Sequence, residues 1–180
     1  MTKPEITVRA LDPNRDIGAW TRIHNQRPVA LGTLRIPYES EAFWARRFES
    51  GAMGSILVAE IDGEIVGCAG FEVRRNRARH QGSFGMGVDV DYQGQGVGSA
   101  LMAAIVDLAD NWYNLRRLEL EVHADNPAGV ALYEKFEFEV EGVYRKYAYR
   151  DGEYVDALAM ARLRDDPWFA DDSVRNEDDA

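Results

Sequence analysis

Apolar and polar residues alternate through EITVRAL at positions 5–11, the period of a strand with one buried face. The period then lengthens. Ile17, Trp20 and Ile23 recur at helical spacing, with Asp12 placed to cap a helix and Pro13 at its first position. Residues 28–38 (PVALGTLRIPY) carry proline near both ends and read as irregular. SEAFWARRFES, with Ser40 as its cap, reads as a second helix. Two apolar runs, SILVAEI and EIVGCAGFEV, meet at Asp62-Gly63, a strong hairpin signal. Residues 81–90 (QGSFGMGVDV) form another strand, with Gly82, Gly85 and Gly87. A glycine-rich strand packs poorly, which points to close backbone approach or a bulge.

A third helix starts after residues 93–100 (QGQGVGSA) and runs to about Asn111, with Val97, Leu101, Ile105, Leu108 and Trp112 as its buried stripe. RRLELEVHA alternates as a strand, and Asn126-Pro127 opens a short helix. Residues 138–163 form a long hairpin turning at Asp151-Gly152. The order is strand, two helices, three strands, helix, strand, helix, two strands. Consecutive strands pair antiparallel, and the strand-helix-strand segment across 83–122 predicts one parallel crossover. The expected class is α/β (α+β): a mixed, mostly antiparallel sheet of about seven strands flanked by about four helices. Residues 1–164 are expected to form one domain, and the acidic residues 165–180 a mobile tail.

Composition narrows the function. The chain of 180 residues carries a net charge of -10, which opposes general nucleic-acid binding but leaves room for a local anion site. A single cysteine, Cys68, excludes an intrachain disulfide and fits a reducing cytoplasm. It lies in an apolar run and reads as a small buried hydrophobe. The first residues lack a signal-peptide core, and no apolar run nears the roughly 20 residues of a membrane span.

The segment QGQGVGSA asks for an anion, because glycine turns that open a helix present unpaired amides. A dinucleotide fingerprint fails: counted from Gly94, the third glycine would fall at Ser99. A P-loop fails for want of a lysine. The pattern that survives, Gln93-x-x-Gly96-x-Gly98 before a helix, resembles the GCN5-related N-acetyltransferases over residues 5–163. The resemblance implies that Gln93, Gly94, Gln95, Gly96, Val97, Gly98 and Ser99 cradle the pyrophosphate of acetyl-CoA. Unpaired amides and the positive helix end supply the attraction. It also implies that Val88, Asp89 and Val90 present backbone groups to the pantetheine arm, beside a splayed and bulged strand. Asn126 and Tyr133 match family positions. Glu137 departs from the family's glycine and implies a different helix exit. The segments TLRIPYES, DNWYNLRRLELEV, DNPAGVALYEKFEFEVEG and KYAYRDGEYVDALAMAR are similar to bacterial L-amino-acid N-acetyltransferases.

The implied chemistry is acyl transfer from a thioester to a neutral amine, using acetyl-CoA as cosubstrate and no metal. Tyr133 is the candidate proton donor to the leaving thiolate. Its periodicity alone favours packing beside Leu132 and Phe136, and the resemblance reverses that reading. Glu119, Glu121 and His123 share one strand face. Glu121 is the first candidate base, because an N-terminal acetyltransferase branch places its glutamate five residues before the asparagine. Asp89 and a water chain follow, and a solvated face is the competing reading. His24, His80 and His123 lack metal spacing. With no nucleophile motif around Cys68 or any serine, direct transfer is expected.

Substrate contacts are expected in residues 28–38 and in the last hairpin. Arg35 is placed to hold a carboxylate, and Leu34, Ile36, Tyr38 and Phe71 to line an apolar pocket. The expected acceptor is a small primary amine, a free amino acid such as methionine or phenylalanine. Alternatives are a non-catalytic acyl-CoA-binding regulator, or acetylation of protein N-termini or an amine xenobiotic. No nucleic-acid or membrane partner is expected. Tyr144, Tyr147, Tyr149 and Tyr154 would suit a homodimer interface.

Overall fold

The computed structural model describes residues 4–50 and 54–164. Its elements are β1 (Thr7–Ala10), α1 (Pro13–Asn25), α2 (Arg27–Leu31), α3 (Glu41–Glu49), β2 (Ser55–Ile61), β3 (Glu64–Val73), β4 (Gln81–Val88), α4 (Val97–Asp107), β5 (Arg117–His123), α5 (Pro127–Lys135), β6 (Glu139–Arg150) and β7 (Glu153–Leu163). The sheet runs β1-β2-β3-β4-β5-β7-β6. β4 and β5 are parallel, and the other neighbours pair antiparallel. The seven strands match the expectation, but five helices replace four. The segment read as irregular contains α2, whose Val29 and Ala30 are buried. The expected tail at 165–180 lies outside the described residues.

Local signals set most boundaries. Asp12 Oδ1 accepts from the Asn14 amide at 3.0 Å, and Ser40 Oγ from the Phe43 amide at 3.2 Å. These bonds satisfy amides that the first helical turn leaves unpaired. Both residues of the first hairpin turn, Asp62 and Gly63, are left-handed, as a tight hairpin requires. Asp151 and Gly152 repeat that geometry between β6 and β7.

The sheet buries both faces. On one, Val97, Leu101, Met102 and Ile105 of α4 pack on Val66, Leu118, Leu120 and Val122. On the other, Trp20, Ile23 and Trp44 cover Val58 and Cys68. Trp112 does not extend the α4 stripe. The helix passes into a π-turn at Leu108–Trp112, and the indole is 75% exposed. The extra residue per turn rotates it off the apolar face.

Two features of the β4 region bear on the site. β4 keeps unbroken register with β3 from Gly67↔Val88 to Val73↔Gly82, so the expected bulge is absent. The splay is present on the other edge: β4 pairs with β5 only from Gln81 to Ser83, and the two strands then part. The glycines serve packing as well. A Cβ on Gly87 would lie 2.9 Å from Val29 Cγ1, and one on Gly82 would lie 2.5 Å from Leu115 Cδ1.

The exit of α5 also corrects the expectation. Glu137 adopts φ 67, the left-handed step that glycine would supply. Phe138 N–H donates to Tyr133 O at 3.1 Å and Glu137 N–H to Glu134 O at 3.0 Å. The rings of Phe138 and Tyr133 sit 6.1 Å apart. This is a Schellman close with its hydrophobic contact, built without its usual glycine.

Candidate active site

Where β4 and β5 part, a cavity of about 420 Å³ opens. Met86, Gly87 and Val88 form one wall and Glu121 and Val122 the other. Gln93, Gly94, Gly96, Gly98 and Ser99 close one end, and Asn126, Gly129, Leu132 and Tyr133 come from α5. Pro28, Val29, Gly32 and Thr33 reach it from the α2 side.

The glycine loop is shaped for an anion. Gly94 and Gly96 take φ 75 and 99, open to glycine and strained for other residues. Gly96 caps α4 without any side-chain hydrogen bond, and a Cβ on Gly94 would meet nothing within 4 Å. The helix therefore presents its first amides and positive end to the cavity. Gln93 Nε2 donates to Val88 O at 3.2 Å and Gln95 Nε2 to Asp91 O at 2.9 Å. These two side chains hold the loop, and Gln95 does not line the cavity. Val97 is buried against β3, with only 1% exposed. Lys135, which sequence reasoning missed, donates from α5 to Ser99 Oγ at 3.2 Å. Its place beside the α4 N-terminus depends on α4–α5 packing, where a Cβ on Gly98 would lie 3.1 Å from Leu132 Cδ2. The loop fits a pyrophosphate by geometry and by charge.

Of the three residues expected beside the pantetheine arm, Val88 alone lines the cavity. Asp89 N–H is bound to Val66 O at 2.9 Å, and Val90 N–H to Gln26 Oε1 at 3.1 Å. The Asp89 carboxylate is buried and pairs with Arg22. Burial pushes its pKa up, but Gln26, the Asp91 amide and Arg22 together hold it below the usual carboxylate range. Asp89 is thus a structural ion, unsuited to act as a base on substrate.

Tyr133 presents a half-buried ring, 5.9 Å from Phe84. Burial pushes its pKa up to about 12, so the hydroxyl keeps its proton at neutral pH. It makes no hydrogen bond to other described residues. Glu121 is exposed on the cavity wall. Its strand neighbours are committed elsewhere. Glu119 pairs with Arg74 and with Arg117, and His123 Nδ1 lies 3.0 Å from Leu31 O. Asn126 Oδ1 caps α5 through the Gly129 amide at 3.0 Å, while its residue also lines the cavity.

A second cavity, of about 380 Å³, lies on the α2 side and includes Leu34, Arg35, Ile36, His123 and Arg150. Two expected substrate contacts fall outside both cavities. Phe71 is only 1% exposed and packs in the α4-side core. Its ring sits 5.6 Å from Tyr113, because strand alternation turns it away from α1. Tyr38 takes φ 73 and points to solvent, 94% exposed. Among the described residues, no cluster of three or more His, Cys, Asp or Glu could hold a metal, and no helix is long and apolar enough to cross a membrane.

A mixed sheet prised open between two parallel strands, above an uncapped glycine-rich helix start, offers one cleft for an elongated ligand that ends in an anionic group. Comparison with known proteins names the family. The Acetyltransferase (GNAT) family matches residues 20–138. The chain is 41% identical over 161 residues to an L-amino acid N-acetyltransferase of Escherichia coli (strain K12), covering 89% of this chain and 99% of that one. It is 32% identical over 156 residues to an N-alpha-acetyltransferase of Mycobacterium tuberculosis, covering 84% and 94%. A phosphinothricin acetyltransferase of Sinorhizobium meliloti, solved with acetyl-CoA, superposes with a TM-score of 0.78 at 24% identity, covering 88% of each chain. The chain belongs to the GNAT acetyltransferase family. It is an N-acetyltransferase that draws its acetyl group from acetyl-CoA.

Proposed function

We propose that the protein acetylates the primary amine of a free L-amino acid, such as methionine or phenylalanine, by direct transfer. The carrying observation is that Tyr133 and Glu121 face one cavity at the split between β4 and β5. The 41% identity to an L-amino acid N-acetyltransferase supports the acceptor class.

The amides of Gly94, Gly96, Val97, Gly98 and Ser99, with Lys135, would hold the pyrophosphate. Val88 would face the pantetheine arm, and Asn126 would add a side-chain donor. Bound there, acetyl-CoA supplies an activated thioester. Glu121 accepts the first proton from the substrate ammonium and passes it to solvent. The neutral nitrogen bonds to the acyl carbon as the carbon–sulfur bond breaks. Tyr133 gives its proton to the departing sulfur, and the proton then shed by the acylated nitrogen restores the tyrosine. Holding both partners in one cavity supplies much of the acceleration.

The reading extends to the cytoplasm, supported by a lone buried Cys68, and to a homodimer. Val143, Tyr144 and Tyr149 on edge strand β6, with Tyr154 on β7, leave apolar surface exposed. Sedimentation of the purified chain checks the dimer.

Thiol release from acetyl-CoA across free amino acids, a phosphinothricin-type analogue, a polyamine and short peptides tests the activity. Turnover with methionine or phenylalanine, lowered in Tyr133→Phe, is expected. Turnover with peptides alone would move the function to protein N-termini. Bound acetyl-CoA without thiol release would make the protein a binding module.

A further inference from the structure

The second cavity meets the first at Thr33, which lines both. Three guanidinium side chains reach its lining. Two are engaged. Arg27 Nη2 donates to Asp151 Oδ1 at 2.6 Å. Arg150 Nη1 donates to Leu31 O at 2.6 Å, and its other amine pairs with Asp125.

Arg35 differs. Its guanidinium carbon lies 4.8 Å over the Trp44 ring, and its nearest carboxylate, Glu39, stands 3.8 Å away. That distance is beyond a hydrogen bond, and the side chain makes none to other described residues. The group is nonetheless half-buried, with 30% of its side chain exposed. The fork is partly desolvated and faces Glu39, and its donors are left free of hydrogen bonds to other described residues. A carboxylate answers it with two parallel N–H···O bonds. Trp44 is fully buried and so fixes the plane on which the fork rests. Leu34 and Ile36 flank it and offer apolar surface.

We propose that Arg35 reads the α-carboxylate of the acceptor in this second cavity, with the amine directed past Thr33 toward Glu121 and Tyr133. The assignment rests on the amino-acid reading above and deepens it: Arg35 is the residue that selects carboxylate-bearing amines over polyamines and amides. Apolar amino-acid side chains lie along Leu34 and Ile36.

The test uses the full chain and compares kcat/KM for L-phenylalanine and L-phenylalaninamide in wild type and Arg35→Gln; the amide's ammonium is also the more acidic, an effect both enzymes share, so the change in the ratio reads the carboxylate. The acid-to-amide ratio should be about 10- to 100-fold higher in wild type than in Arg35→Gln, the worth of a charged bidentate contact. Arg35→Gln should lose that advantage with the KM for acetyl-CoA unchanged. Arg35→Lys should restore part of it, because one point charge replaces a fork. An unchanged preference in Arg35→Gln would overturn the assignment. A second readout needs no turnover: N-acetyl-L-phenylalanine should raise the Tm of wild type and not of Arg35→Gln. Arg35-dependent binding of that carboxylate, with no turnover of any amino acid, would sink the acceptor reading while supporting the subsite. Turnover without any Arg35 dependence would do the reverse.

Discussion

Tyr133 lies where burial and chemistry demand the same thing. Its ring is enclosed by Phe84 and Phe138, and that enclosure raises the hydroxyl pKa to about 12. A donor must hold its proton until the thiolate leaves, so the raised value suits the role. Tyr133→Phe should lower kcat by about 100-fold or more while leaving the KM for acetyl-CoA near wild type. Steady-state kinetics checks this, and wild type should show no falling limb below about pH 10 from this group. Glu137 shows a different compromise. A non-glycine residue at φ 67 costs about 1–2 kcal/mol, while glycine loses about 0.5–1 kcal/mol in chain entropy. Glu137→Gly should therefore stabilise the fold by about 0.5–1 kcal/mol, read as a higher urea midpoint at unchanged slope. The glycine loop and the Asn126 cap were legible residue by residue, because each meets a local backbone demand. Phe71 was not: its type suits a pocket or a core equally, and the register of β3 against α4 put it in the core.

Elements were legible where a backbone conformation must be met locally. The Asp-Gly pairs at 62–63 and 151–152 and the caps Asp12 and Ser40 fall where the chain marks them. α2 was not legible, because five residues beginning Arg27-Pro28 have no periodicity to read. Its helix exists by seating Val29 against Gly87. Close seating also fixes α4: a Cβ on Gly67 would lie 2.7 Å from Val97 Cγ1 and 3.2 Å from Leu101 Cδ1. Gly67→Ala should cost about 1–3 kcal/mol in chemical denaturation. Because α4 carries the glycine loop at its start, the same change should raise the KM for acetyl-CoA. A loss of stability without that rise would show that the loop tolerates a shifted helix.

At the scale of the whole molecule, packing of α1 and α3 sets a pH limit. His24 stacks on Trp20 at 4.4 Å, with Cys68 Sγ at 3.7 Å. Burial pushes its pKa from 6.5 down to about 4. The unfolded chain therefore takes up a proton in this window that the folded chain refuses, and stability falls as pH drops from about 6.5 to about 4. The loss should be on the order of 3 kcal/mol, measured by denaturation at pH 7 and pH 4.5, and should flatten in His24→Phe. Asp16, held to about 2 by Arg9, should contribute in full above about pH 4 and lose that contribution as the pH falls from there through about 2.

By itself the sequence determined the succession of strands, the turns and the glycine loop that opens α4, because those follow from backbone demands at fixed spacing. Only the tertiary structure decided that β4 and β5 part after three paired residues. It alone withdrew Asp89 into an ion pair, brought Lys135 to Ser99, and left Arg35 on Trp44 without a hydrogen-bonded acceptor. These outcomes join residues distant along the chain, and local periodicity carries no information about which of them the packed core will set side by side.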